Sequence, residues 1–533
     1  MKKLLVTLAV LLAILAMASA QDWPMVNYDN NMSRHSPQTV INKDNVKDLQ
    51  VKWILNIGVT TEAPPLIVGK TGYIQNNIQQ VFAFDMDTGL TKWKFDPNIS
   101  KAFEALYRAS SSHGMTYENG IIYAPTGPNA TIVALDANKG TKIWESEPFA
   151  PTGQAFIESA PPLVWKNVVV AGSALGDTPP FGVAQKGTVT GVDKNTGKIL
   201  WQTKLAVGDW VEGKNASVNG GGTTWSGAAI DMDKGIVYLP IGNAAPDFDA
   251  TTRPDPNLYT SHVVALNIPD GKILWATPFV AQGSVFNVTT PDTHDWDTTW
   301  GTMLVTADVG KGPQKIVIGH DKRGDIMAMD AATGKPIWWR NVAVLYNENS
   351  QPSVNGTTTW PGPGDGIESY TAFDNKSIYA AVSNQGMIFF PGPEKTVIPS
   401  FDTMPNGIGN GSIVSLDMKT GKVNWKVDTE FPTWTSPLVT NGVVFAGHIT
   451  DWGMPYQYSE DFGGPTVTPL IPSGIMMALD ADTGKTLWQF NVGAPIAIGG
   501  PSIGNGMLLV PTGGIQTPNK GGYVVAFGLP SNN

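Results

Sequence analysis

The chain has 533 residues, of which 58 are Gly and 40 Pro, with no Cys and a formal net charge of −10. Without cysteine it forms no disulfide and cannot attach haem through a C-x-x-C-H motif. The acidic balance argues against nucleic acid as a partner and suits a cationic one, and the many turn-forming residues fit an all-β globular chain.

The first twenty residues read as a leader. Lys2 and Lys3 precede an apolar run from Leu4 to about Met17, and Ala18-Ser19-Ala20 supplies a small-residue cleavage site. The expectation is a signal peptide over 1–20 and an exported mature protein: periplasmic, cell-surface or extracellular. The run is too short to anchor in a bilayer, and no span is expected after the leader is removed.

From there one phrase recurs. It reads VFAFDMDTGLTKWKF at 81–95, IVALDANKGTKIWES at 132–146, VTGVDKNTGKILWQT at 189–203 and VVALNIPDGKILWAT at 263–277. It returns as IMAMDAATGKPIWWR at 326–340, IVSLDMKTGKVNWKV at 413–427 and MMALDADTGKTLWQF at 476–490. Each copy has an Asp or Asn, Gly four residues on, and Trp four further. Alternating apolar residues predict a half-buried strand, D-x-x-T-G a tight turn with Gly at positive φ, and the Trp-bearing stretch a second strand. Such sheets bury their faces only against one another, as propeller blades do.

Two halves complete the set. LQVKWILN carries Trp53 on a second strand with no first strand before it, and GYVVAFGLP at 522–530 has a first strand and no second. Paired, they close an eighth blade from the two chain ends and remove a free sheet edge. The expected architecture is a single eight-bladed β-propeller over 21–533. Trp53, Trp93, Trp144, Trp201, Trp275, Trp338, Trp425 and Trp488 are its packing residues between blades.

Candidate functional residues lie where the repeat breaks, because loops at one end of a ring converge on its axis. In chain order these breaks hold TEAPPLIV at 61–68, RASSSHGM at 108–115, ESAPPLV at 158–164 and AGSALGD at 171–177. GGGTTWSG at 220–227 follows, a glycine run that would let backbone approach a flat ligand. Then come IGNAAPDF at 241–248, THDWDTTWG at 293–301 and GHDKRG at 319–324. Taken singly, these acids and amides read equally well as turn residues and the lysine as a surface charge.

With these inter-repeat motifs, essentially the whole mature chain resembles the pyrroloquinoline-quinone (PQQ)-dependent alcohol dehydrogenases. That resemblance implies PQQ and Ca2+ as cofactors. It places Trp225 under the quinone with Thr223 bonding its edge, and gives Glu62, Arg108 and Ser159 further cofactor contacts. Asp177, Asn243 and Asp297 would ligate calcium through the oxygen donors that ion prefers. Asp297 would be the base that takes the substrate hydroxyl proton, and Lys322 would meet charge developing on the quinone oxygens.

The chain departs from the family at three of these places. Ser112-His113-Gly114 stands where two adjacent cysteines cap the quinone, so His113 becomes the cap. Asp177 replaces a Glu, and HDWD is one residue shorter than the family's segment. Thr299 stands where lanthanide-using relatives carry Asp, which favours calcium.

The implied function is oxidation of a small hydroxylated substrate by hydride transfer to PQQ, with electrons passed to a separate acceptor such as a cytochrome c. The competing reading is a cofactor-free propeller that binds a protein or glycan of the cell envelope.

Overall fold

A computed structural model of the protein describes residues 22–99, 101, 113–126, 131–149, 160–173, 186–246, 252–253, 257–279, 294–298, 300–310, 312–348, 350–362, 364–392, 397–400, 409–450, 473–513 and 521–530. Within them lie eight four-stranded antiparallel sheets. Seven follow in chain order over 66–95, 116–145, 163–204, 229–278, 303–341, 372–429 and 438–491. The eighth joins Ser502–Gly504, Met507–Pro511 and Tyr523–Gly528 to Gln50–Asn56, with Trp53 opposite Ala526. The eight-bladed propeller closed by both chain ends is therefore what the sequence leads one to expect.

In each blade the first three strands are largely buried and the fourth, which carries the Trp, is the exposed one, as in Val81–Asp85 against Thr91–Phe95. The inner strands of neighbouring blades touch around the ring, Leu66–Val68 against Ser502–Gly504 and Ala372–Phe373 against Leu438–Thr440 among them.

The eight Trp residues do key one blade to the next. Trp53, Trp93, Trp144, Trp201, Trp275, Trp338 and Trp425 each donate the indole N–H to a backbone carbonyl of the following blade, at 2.8–3.2 Å. Each lies over that blade's turn glycine. A Cβ at Gly334, for example, would sit 2.5 Å from Trp275 and 2.6 Å from Thr277 Oγ1. Trp488 instead meets Phe527 of the closing blade edge to face, at 5.3 Å.

Across its own ladder every one of the eight faces Ala, Gly or Ser, and the register slips beside that pair. The turn itself is closed by its Asp: Asp330 Oδ1 accepts from the Thr333 amide and hydroxyl at 2.9 and 2.8 Å. The repeat is thus a lock between blades as well as a turn.

Gly334 has φ +71°, so it needs both a left-handed backbone and an empty Cβ position. Gly334→Ala is expected to lower unfolding free energy by about 2–4 kcal/mol, read from the urea midpoint. An unchanged midpoint would remove the inter-blade lock.

Residues Trp23–Ser36 run once around the inner strands in blade order. Trp23 exchanges backbone hydrogen bonds with Ile67 of the first blade, and Pro24 O accepts from Tyr117 of the second. Met25 packs beside Leu163 of the third. The carbonyls of Asn30, Asn31, Ser33 and Arg34 then accept from Ile230, Leu304, Phe373 and Val439 of the fourth to seventh. The fully buried Arg34 guanidinium reaches the eighth at Pro501 O, 2.8 Å away. No helix among the described residues is long and apolar enough to cross a membrane.

Candidate active site

Side chains from the segments leading into five different blades meet in one cluster, which only the centre of the ring allows. Glu62 precedes the first blade, His113 the second, Trp225 the fourth, Asp295 and Asp297 the fifth and Glu368 the sixth. Lys322 joins them from the turn after the second strand of the fifth blade, Pro313–His320. All seven are at most 9% exposed.

The glycine run around Trp225 has a local cause. Gly220 and Gly221 pair with Ala245 and Ala244 in a two-stranded ribbon, Gly222 N–H donates to Asn243 O at 2.7 Å, and Gly242 N–H to Thr223 O at 2.8 Å. A Cβ on Gly221 would lie 2.4 Å from Asn243 O. Gly221 therefore admits the close approach of the chain's own backbone at Asn243 and Ala244. This ribbon ties Thr223 and Trp225 to Asn243. A Cβ on Gly242 would lie 3.1 Å from Asp297 Oδ2 and 3.3 Å from Trp225 Nε1, so Asn243, Asp297 and Trp225 share one corner.

Lys322 is the charge centre. Its Nζ lies 2.9 Å from Asp295 Oδ2, 3.0 Å from Asp297 Oδ1, 3.9 Å from Glu368 Oε1 and 6.0 Å from the Trp225 ring. Its backbone N–H donates to Asp297 O at 3.2 Å, so main chain and side chain hold the same pair.

His113 and Glu62 bond to each other. His113 Nε2 is 3.1 Å from Glu62 Oε2, and Nδ1 meets the Trp225 backbone carbonyl. Both ring nitrogens thus face oxygens. The Nδ1 proton points to the carbonyl, and the Nε2 contact requires a further proton on ring or carboxyl. The resemblance gave Glu62 and His113 separate contacts with the quinone and made His113 the cap opposite Trp225. In the structure His113 meets Trp225 at 60° and 5.5 Å, and Trp300 at 51° and 4.6 Å. That is an edge-on contact, not two parallel plates.

Arg108, Ser159 and Asp177 lie outside the described residues. Among the described residues no three His, Cys, Asp or Glu side chains gather around one point as a cation cage.

Several site residues carry no signal in the repeat. Glu368 and Tyr370 lie in the long break at 345–411. Tyr370 Oη accepts the Gly227 N–H at 2.9 Å and its ring meets Trp300 edge on at 5.4 Å. Trp300 sits within THDWDTTWG but is read there as neither base nor ligand. It holds φ +33°, a conformation costly for a bulky side chain and one that persists where the surroundings enforce it. Trp434 donates to Gly364 O at 2.7 Å, fixing the loop that bears Glu368.

Next to Lys322 lies a buried titratable layer. Burial, then the neighbouring Asp325 carboxylate, pushes Asp321 well above the usual range. Burial raises Asp365 likewise, against a Ser383 hydroxyl 2.6 Å away. Burial pulls His320 down to about 4. A histidine depressed in this way stabilises the fold fully above its unfolded value near 6.5 and loses that contribution as pH falls towards 4. His320→Gln should therefore gain on wild type by about 3 kcal/mol between pH 7 and pH 4, as denaturant midpoints would show. A constant difference across that window would mean His320 is not buried as a neutral ring.

A closed ring of Trp-keyed blades around a buried Trp, amide, carboxylate and lysine cluster defines a dehydrogenase-type propeller. The family model for the PQQ glucose/ethanol/alcohol dehydrogenase β-propeller domain matches residues 23–362. A quinohemoprotein alcohol dehydrogenase of Comamonas testosteroni is 24% identical over 535 residues, covering 90% of this chain and 70% of its own. A lanthanide-dependent methanol dehydrogenase of Methylacidiphilum fumariolicum is 25% identical over 538 residues, covering 90% and 82%. Among solved structures, a europium-containing methanol dehydrogenase superposes with TM-score 0.75 at 22% identity, covering 96% of this chain and 98% of that one. The chain belongs to the PQQ-dependent alcohol dehydrogenase family.

Proposed function

We propose that the protein is an exported quinoprotein dehydrogenase that oxidises an alcohol or another small hydroxylated compound. The observation that carries this reading is the Asp297–Lys322–Trp225 corner, in which a carboxylate and a shared ammonium from the fifth blade meet an aromatic face carried by the segment before the fourth.

The residues present fit the cofactors the family implies. Asp295, Asp297 and Glu368 bring three buried carboxylates against one buried lysine. Asp295 Oδ1 has no hydrogen-bond partner among the described residues. Such an excess of buried hard oxygen donors is matched by a divalent cation. Trp225, Thr223, His113, Glu62, Arg108 and Ser159 would hold the quinone, and Asn243 and Asp297, joined by Asp177, the calcium. When bound, PQQ supplies the hydride acceptor and Ca2+ a Lewis acid that makes it more electrophilic.

The chain's own groups do the rest. Asp297 takes the substrate hydroxyl proton at Oδ2, the oxygen turned to Gly242 and Trp225, while Oδ1 stays paired with Lys322. Lys322 keeps that carboxylate oriented and offsets negative charge that builds beside it. Trp225 and the His113–Glu62 pair exclude water from the pocket. Electrons would leave to a separate acceptor such as a cytochrome c.

The test is dye-linked oxidation of a panel of primary alcohols and aldoses by protein loaded with PQQ and Ca2+. Turnover that needs both additions supports the proposal. No turnover with any substrate, together with a folded protein, would favour the envelope-binding propeller.

A further inference from the structure

We infer that the N-terminal strap, Trp23–Ser36, is a positioning element for the reactive pocket, with Val26 and Met32 as the residues that set it. Its role in positioning rests on the proposed function; its contacts do not.

The strap presses on the residues beside both ring-bearing side chains of the site. A Cβ on Gly114, next to His113, would lie 2.3 Å from Val26 Cγ2. A Cβ on Gly227, two residues after Trp225, would lie 2.2 Å from Met32 Cε. Val26 and Met32 are each 1% exposed and share one apolar cluster with Trp225, Trp300, Tyr370 and Trp434. The two strap side chains thus fill the space under the His113 and Trp225 segments.

The strap is held as a positioning device must be. Its carbonyls bond inner strands of four successive blades, as described above, and turns at Met25–Tyr28 and Asp29–Met32 shape the segment between them. Tyr28, Met32 and Arg34 hold φ of +78°, +60° and +50°. Non-glycine residues persist there only where the surroundings over-determine them. Arg34 fixes the far end: its guanidinium spans Pro437 O at 2.6 Å, Pro501 O at 2.8 Å and Asn27 Oδ1 at 2.9 Å. The two proline carbonyls lie at the entries to the seventh and eighth blades, so the strap end is bolted across the junction between those blades.

A packing role alone would predict loss of stability and nothing more. A positioning role predicts a specific loosening at Gly227, whose N–H is held by Tyr370 Oη, and weaker quinone binding. The test compares Val26→Ala/Met32→Ala with Leu416→Ala, a fully buried residue in the core of another blade. Met32→Leu, close to Met in volume, serves as the rescue. Amide exchange of the peptide spanning 224–230 and the PQQ dissociation constant, with Ca2+ present, are read on all of them.

The inference expects the strap variant to exchange at least tenfold faster at Gly227 and to bind PQQ at least tenfold more weakly. Leu416→Ala should do neither despite a comparable drop in stability, and Met32→Leu should restore both values. It is overturned if strap and control variants behave alike, or if exchange quickens while affinity stays the same. If wild type itself binds no PQQ, the proposed function fails, and the exchange comparison alone decides whether the strap sets the pocket.

Discussion

Asp297→Asn is expected to leave PQQ affinity within about threefold and to lower kcat by roughly 10²–10⁴-fold, the range a positioned general base contributes. An amide at this position keeps the shape and can still face Lys322, but it cannot take the substrate proton. Stopped-flow reduction of the bound quinone by an alcohol, followed by steady-state turnover, measures both quantities. Asp295→Asn is the informative comparison, because Asp295 meets the same ammonium at 2.9 Å against 3.0 Å for Asp297. Geometry around Lys322 does not separate the two acids. Their other neighbours do, since Asp297 Oδ2 is the oxygen at the Gly242–Trp225 corner. Near-normal turnover in Asp297→Asn with collapse in Asp295→Asn would move the base two residues back.

The second large effect is expected at Trp225. Trp225→Ala removes one face of the pocket, on the order of 100 Å² of apolar contact and so about 2–3 kcal/mol, with about 1 kcal/mol more from stacking geometry. Quinone affinity should fall by at least about a hundredfold, which equilibrium titration would show. The ring should survive, since the eight Trp residues that key the blades are elsewhere and untouched. Stability should nevertheless drop by a few kcal/mol, as for any buried aromatic cut to alanine. Trp225→Phe should recover most of the affinity. Loss of the fold in both variants would make Trp225 a core residue and leave the pocket without a floor.

The fold was legible because one local device repeats. Asp, turn glycine and Trp recur at fixed spacing, and each has a job that spacing alone reveals: closing the turn, allowing positive φ, and packing sideways. What spacing did not reveal is that the glycine must also be bare to receive the neighbour's indole, or that Ala, Gly or Ser must face each Trp. Those are contacts between blades and across ladders, and a single hairpin does not show them.

The site was legible only through the resemblance. Trp225, Asp297 and Lys322 lie together, and Asn243 follows Gly242 at their corner. Glu62 and His113 meet as well, but as partners of each other. Glu368 and Tyr370 lay in the break at 345–411 with no periodicity to place them. The strap was invisible for another reason: most of its bonds to the blades are made by backbone carbonyls, which leave no trace in side-chain identity.

In the proposed function this ring holds a quinone beside a cation in the Trp225–Asp297 corner. The most direct measurement is the absorption spectrum of the purified protein titrated with PQQ, with and without Ca2+, followed by addition of an alcohol. Saturable binding near one quinone per chain is expected, much tighter with Ca2+, with loss of the oxidised-quinone band when alcohol is added. A spectrum that remains the sum of free PQQ and protein at every calcium concentration would contradict it.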